Sequence, residues 1–318
     1  MDRAECNANA KRGRFRFGIR SLLLLTMVCA TFIAWFSTRI QEVNQEIKIR
    51  ESLSSQGLHI EMIPRDLRLT EKVFNRKLYP DHYLIRCQKE KLDLLSGAGK
   101  LKHVEAFSIS SSPAQFKTCS LDPISTLTHL KTLWVHVDES NDFEFLRKLS
   151  RLEKVILQGT NLKSLDVFEN CRELKFLNIW NCDQLRDVSQ LSNFESLETL
   201  WIDGPTIERY YENGGTCDGL HELRIGNTSS KTLEKINISA TKKIVFVIDY
   251  LENLEGIEKF SNCEQIEFSG FVKDISALRN LANSKVKLVK FSKTMWGAED
   301  VSKMDRLLNG ISVIIYDE

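Results

Sequence analysis

The stretch of this sequence closest to a catalytic composition is Ser96-Gly97-Ala98-Gly99-Lys100. Glycines followed by a lysine can cradle a phosphate on backbone N–H groups, but a phosphate loop also needs an earlier Gly and a Ser or Thr after the Lys, and both are lacking here. The stretch reads as a turn. Gly214-Gly215-Thr216-Cys217-Asp218-Gly219 is also glycine-rich, follows no strand of nucleotide-binding type, and reads as a long loop. Zinc chemistry would need thiolates and imidazoles at ligand spacing. Cys171 and Cys182 stand eleven residues apart with no His near them. The six histidines form no pairing of base and nucleophile. Asn227-Thr228-Ser229 and Asn237-Ile238-Ser239 match the glycosylation pattern, which has meaning only in a secretory eukaryotic host. No catalytic residue, metal ligand or cofactor is predicted, and the chain is read as a non-enzyme.

What remains is recognition by a surface. Trp134, Ile156, Phe176, Trp180 and Trp201 sit at intervals set by a repeat. Its copies are LKTLWV from Leu130, LEKVIL from Leu152, LKFLNI from Leu174, LETLWI from Leu197 and LHELRI from Leu220, at steps of 22, 22, 23 and 23 residues. A motif of this kind, recurring at a period in the low twenties, predicts one short strand per coil of a solenoid. Weaker copies extend it: DHYLIR from Asp81 and VEAFSI from Val104, then TKKIVF from Thr241, CEQIEF from Cys263, VKLVKF from Val286 and ISVIIY from Ile311. At Thr241 the run IVFVID offers several apolar alternatives for the register. The return segments LDPISTLTHL, LKSLDVFENCREL, LRDVSQLSNFESL and VKDISALRNL step their apolar residues by three, the pattern of 3₁₀ or short helix.

Side chains alternate along a strand, so the Leu positions point inward and positions three, five and seven face the concave surface. Column five reads Trp134, Ile156, Asn178, Trp201, Arg224; column seven His136, Gln158, Trp180, Asp203, Gly226; column three Thr132, Lys154, Phe176, Thr199, Glu222. Trp180 and Trp201 are expected as diagonal neighbours. An apolar patch on a solvated face signals interaction, and Trp is enriched at interface hot spots. The predicted ligand-binding residues are therefore Trp134, Ile156, Phe176, Trp180 and Trp201. The competing reading is mutual ring packing that stabilises the sheet. Thr160, Cys182 and Thr228, eight residues after their coils' first Leu, should bond the neighbouring coil's backbone. Cys171, Cys182 and Cys263 fall on inward positions and read as buried thiols; Cys87 with Cys119 is a disulfide option in an oxidising compartment.

Ahead of the repeats, residues 21–38 carry no charge. Eighteen helical residues rise about 27 Å, close to the ~30 Å hydrocarbon core of a bilayer. Two readings fit. A signal peptide could be cleaved after Ala30; an uncleaved anchor is favoured because the apolar run continues through Phe32, Ile33, Ala34, Trp35 and Phe36. Six basic against two acidic residues in 1–20 give that arm +4, which keeps the N-terminus cytoplasmic and the repeats outside. With the whole chain at +1, residues 39–318 carry −3, and no basic face for nucleic acid is expected. Ile40, Val43, Ile47 and Leu53 make a thin stripe on a juxtamembrane helix ended by Ser54-Ser55-Gln56-Gly57. It reads as a solvated stalk, with pairing to a second copy as the alternative. LHIEMI from Leu58 reads as a strand and Leu67–Pro80 as a helix, together capping the first coil.

The 22-residue rhythm and the returns LRDVSQL and VKDISAL resemble bacterial internalin-type leucine-rich-repeat proteins. The basic arm, single span, short linker and repeats resemble membrane-anchored leucine-rich-repeat proteins of bacteria. The resemblance covers residues 104–318, most clearly 130–230, and departs from the Leu pattern over 242–289. It implies an α/β leucine-rich-repeat solenoid, with a parallel sheet on the concave face and 3₁₀ or short-helix returns, that binds protein ligands without catalysis. The predicted domains are a basic arm (1–20), a transmembrane helix (21–38), a juxtamembrane helix with N-terminal cap (39–80) and the solenoid (81–318). A structural, self-associating envelope module is the second reading.

Overall fold

A computed structural model describes residues 19–63, 82–88, 94–95, 101, 104–110, 120–136, 143–216, 219–228, 231–238, 241–292, 298–308 and 310–316. The expected helix at Leu67–Pro80, the turn at Ser96–Lys100 and Cys119 lie outside the described residues. The chain divides into two units, Met1–Lys48 with Asp66–Pro80, and Ile49–Arg65 with Asp81–Glu318. The described part of the first is helical: α1 (Ile19–Ser55) runs unbroken through the apolar span and the stripe of Ile40, Val43 and Ile47. It stops where Gly57 takes a φ of 90°, with the Gly57 N–H donating to the Ser54 carbonyl and the Leu58 N–H to the Leu53 carbonyl. This left-handed C-cap is the ordinary use of a glycine there. Leu53 and Leu58 belong to the core of the second unit.

The second unit is built on a sheet of twelve described strands in chain order. They are β1 (His59–Ile63), β2 (His82–Gln88), β3 (Val104–Ser110), β4 (Thr132–His136), β5 (Lys154–Gln158), β6 (Phe176–Ile179), β7 (Thr199–Asp203), β8 (Glu222–Gly226), β9 (Lys243–Asn253), β10 (Gln265–Asp274), β11 (Leu288–Ser292) and β12 (Ser312–Tyr316). β1 and β2 are antiparallel, and every later pair is parallel. The chain is a leucine-rich-repeat solenoid. Its core has two rows. Leu133, Val155, Leu177, Leu200, Leu223, Ile244, Ile266 and Val289 form one, and Val135, Leu157, Ile179, Ile202, Ile225, Phe246, Phe268 and Phe291 the other, every one of them 0% exposed. Where the second row changes to phenylalanine the rings stack, Phe246 on Phe268 and Phe268 on Phe291, at 5.3 Å in both cases.

The returns are short 3₁₀ helices, among them Leu165–Phe168, Ser189–Asn193 and Ser276–Leu281. The Asp-x-Ser sequence at the entry of the last two has a local cause. The Asp187 carboxylate accepts the Ser189 N–H at 3.0 Å and Asp274 accepts the Ser276 N–H at 2.8 Å, and these bonds hold both carboxyls below their usual range. One return is not 3₁₀: α2 (Gly204–Glu212), ahead of the glycine-rich stretch read as a loop, is an α-helix. Asp203 at its N-cap and a Pro in the first turn were the sequence signal for it. α3 (Ala298–Leu307) precedes β12.

Three expectations about register have outcomes. Lys243 pairs with Glu222 and Gln265, so the copy from Thr241 is in phase. The first and last copies slip by one residue. In β2, Ile85 and Cys87 point inward, at 0% and 5% exposure, where Leu84 and Arg86 were expected. In β12, Val313 and Ile315 align with Val289 and Phe291, and Ile314 is turned outward, 45% exposed. Both stretches carry apolar residues at adjacent positions, so two registers satisfy the motif, and a one-residue slip exchanges the faces.

Cys171, Cys182 and Cys263 are each 1% exposed. The Cys171 thiol donates to the Leu149 carbonyl and the Cys182 thiol to the Leu157 carbonyl, one coil back. Burial pushes the Cys171 and Cys263 thiols up to about 12 and Cys182 to about 11, which makes them small core residues and not nucleophiles. At position two of successive coils the charges alternate: Lys131 lies 3.1 Å from Glu105 and 3.9 Å from Glu153, and Glu153 lies 3.6 Å from Lys175.

Candidate functional site

The five predicted residues lie on the outward face of the sheet. Trp134 is 45% exposed, and Ile156, Phe176, Trp180 and Trp201 are half-buried. Strand pairing sets Trp134, Ile156, Asn178, Trp201 and Arg224 side by side across β4–β8. The Phe176 ring meets Trp201 edge-on, with centroids 5.4 Å apart. A cation closes each end of that pair: Lys154 Nζ sits 4.7 Å from the Phe176 centroid and Arg224 Cζ 4.3 Å from that of Trp201. Edge-on rings and ring–cation contacts contribute about 0.5–1.5 kcal/mol each. The mutual packing is real, and it leaves Trp134 outside it.

The expected pairing of Trp180 with Trp201 is not what orders the rings. Trp180 lies against Gly226, where an added Cβ would stand 2.5 Å from its Cζ2. Asn178 corrects the reading further. Placed in an outward column, it is 1% exposed, because the larger Ile156 and Trp201 flank it in register, and its Oδ1 accepts the Trp180 N–H at 3.1 Å. Asn178→Ala is therefore expected to cost about 1–3 kcal/mol by leaving that N–H unsatisfied. A thermal melt reads this directly; an unchanged midpoint would mean the side chain is solvated after all.

Beside the rings lies a polar group of residues that the apolar pattern did not single out. Asp203 accepts the Cys182 N–H at 3.3 Å through Oδ2 and is also held by the Asn181 N–H. Its Oδ1, the Trp201 Nε1 and the Arg224 Nε are buried and have no hydrogen-bond partner among the described residues. Burial pushes the Asp203 carboxyl up to about 6, with Asp183 adding to the rise. Below Arg224 an ion-pair row continues across the strands, Glu222 to Lys243 at 3.3 Å and Lys243 to Glu267 at 3.5 Å. A signal for this corner was present in column seven, where a glycine stands two coils from a tryptophan.

On the return side, a cleft of about 320 Å³ lies between the Ser189–Asn193 turn and α2, lined by Arg186, Ser189, Ser192, Thr206, Arg209 and Tyr210 among others. Its wall is fixed by the Tyr210 hydroxyl, which donates to the Thr216 carbonyl at 2.7 Å. Among the described residues no three His, Cys, Asp or Glu side chains are grouped to hold a metal ion.

No family model and no curated protein matches the sequence. Solved structures similar to the chain include internalin C2 of Listeria monocytogenes, at 20% identity over 63% of this chain and 83% of that one, TM-score 0.39. A second internalin of that organism is 14% identical over 88% of this chain and 93% of its own, TM-score 0.40. A leucine-rich-repeat protein of Leptospira interrogans is 14% identical over 69% of this chain and 68% of its own, TM-score 0.38.

Proposed function

We propose that the chain is a membrane-anchored, non-catalytic leucine-rich-repeat protein that binds a protein ligand through the outward face of its sheet. The observation that carries this reading is the half-open aromatic row from Trp134 to Trp201, laid on parallel strands whose inner face is packed without exposure. Strands held in register make a rigid floor, so little ordering is lost on association. The anchor is supported by α1, which over Leu23–Ser55 is long and apolar enough to cross a membrane. The basic arm before it supports a cytoplasmic N-terminus.

A second reading, self-association, is favoured by one observation. β12 pairs on one side only among the described strands, and Ser312-Val313-Ile314-Ile315-Tyr316 carries no charge, proline or glycine to blunt its edge. A photo-crosslinking residue placed at Trp134 in the full chain in its membrane should couple to a different polypeptide, and one placed at Lys148 on the return side should not. Coupling to a second copy, from Trp134 or from Ile314, would favour self-association instead.

A further inference from the structure

Ile179 is in register with Ile202, and Asp203, the next residue along, with Gly226. Trp180, the first residue past the end of β6, therefore continues the row of Asp203 on β7 and Gly226 on β8. The Trp180 indole reaches the last of them, since a Cβ on Gly226 would stand 2.5 Å from Cζ2 and 2.7 Å from Cε2. Strands are ~4.8 Å apart, so a ring seated there crosses the middle strand at Asp203. In that position Asp203 Oδ1 is sealed and has no hydrogen-bond partner among the described residues, as are Trp201 Nε1 and Arg224 Nε close by. Burial there costs the charged carboxyl more than the neutral one, and it outweighs the Cys182 and Asn181 N–H groups that favour the charge.

We propose that Trp180 is a lid on the binding face, seated on Gly226 while the Asp203 carboxyl is neutral and lifted when it is charged. The proposal deepens the binding reading of this face, and its use to the protein rests on that reading. Lifting the ring opens the Asp203 Oδ1 acceptor, which has no hydrogen-bond partner among the described residues, to a donor such as a partner's peptide N–H. The sign follows from linkage: closing raises the Asp203 pKa, so closing takes up a proton, and acid favours the closed lid. Burial is the larger cause of that rise and Asp183, in the turn after β6, the smaller. On the neighbouring strand β8 the charged groups are Glu222 and Arg224, the latter stacked on Trp201. The face is thus shut in mildly acidic medium and available at neutral pH.

Acrylamide quenching of tryptophan fluorescence in the full chain in detergent micelles tests this without any ligand. Titrating about two pH units either side of the Asp203 value takes its protonated fraction from near one to near zero. Quenching is expected to rise with pH by the share of a single indole, with a midpoint above the ordinary carboxyl range and no higher than about 6. Trp180→Phe should abolish the step. Asp203→Asn should stay in the weakly quenched state at every pH. Gly226→Ala, whose methyl cannot fit beneath the ring, should be strongly quenched throughout while still melting cooperatively. A flat titration of the native chain, a step persisting in Asp203→Asn, or a Gly226→Ala variant that keeps the closed signature would overturn the lid. If Asp203→Asn does not fold, Trp180→Phe decides, because a step that survives without the indole cannot be the lid. The step and the crosslink from Trp134 fail independently, so loss of either proposal is told apart from loss of the other.

Discussion

Phe268→Ala is expected to destabilise the repeat unit by about 3–5 kcal/mol, the range for truncating a fully buried aromatic residue. Phe268 is 0% exposed and is clasped between Phe246 and Phe291 at 5.3 Å on either side, its ring nearly parallel to both. Its two neighbours are fixed to their own strands, so neither can move in to fill the space. Coils of a solenoid contact only their neighbours, so damage should stay local. Hydrogen exchange should accelerate in β9, β10 and β11 and remain slow in β4 to β7. A melting midpoint within a degree or so of the native chain, or uniform loss of protection, would refute the stacked core.

Gly270→Ala should be comparably damaging, at ~3 kcal/mol or more. Gly270 has a φ of 130°, a conformation whose strain alone costs a side-chain-bearing residue about 1–3 kcal/mol. The remainder is steric, for an added Cβ would stand 1.6 Å from the Ile248 carbonyl oxygen. Here the register of β10 on β9 shifts between Ser269 and Phe271, and the bulge brings Phe271 onto Tyr250 at 5.7 Å. Gly214→Ala is the control. Its φ is 80°, and nothing lies within 4 Å of the Cβ position, so it carries the conformational term only. Chemical denaturation of both variants should separate them clearly; equal losses would show that the Ile248 contact is relieved at no cost.

The coils from Leu130 to Ile225 were readable because each inward position holds an aliphatic residue at a fixed interval, and that interval is itself the geometry of the fold. The later coils keep phase although Phe246, Phe268 and Phe291 replace leucine, because a stacked ring fills the same place. What escaped was of two kinds. At Leu84–Ile85 and Val313–Ile315 the local pattern is degenerate, and only pairing with the next strand chooses the register. The length of β9 and β10, eleven and ten residues, was hidden because IVFVIDYL continues the apolar run past the usual end of a strand. For the site, alternation placed the aromatic column on the outward face. It could not foresee that Asn178 would be covered or that Trp180 would settle on Gly226, because both depend on side chains from other coils.

The alternating charges at position two restrict how the solenoid can change length. Glu105, Lys131, Glu153 and Lys175 follow one another along the coils, each beside its opposite. Excising the single coil that bears Glu153 would bring Lys131 against Lys175, whereas excising it together with its neighbour restores unlike charges at the junction. Each exposed contact contributes only ~0.2–1 kcal/mol and weakens with salt. Applied at every join, that small term still biases which insertions and deletions survive. In this part of the molecule, coils are expected to be gained and lost in twos.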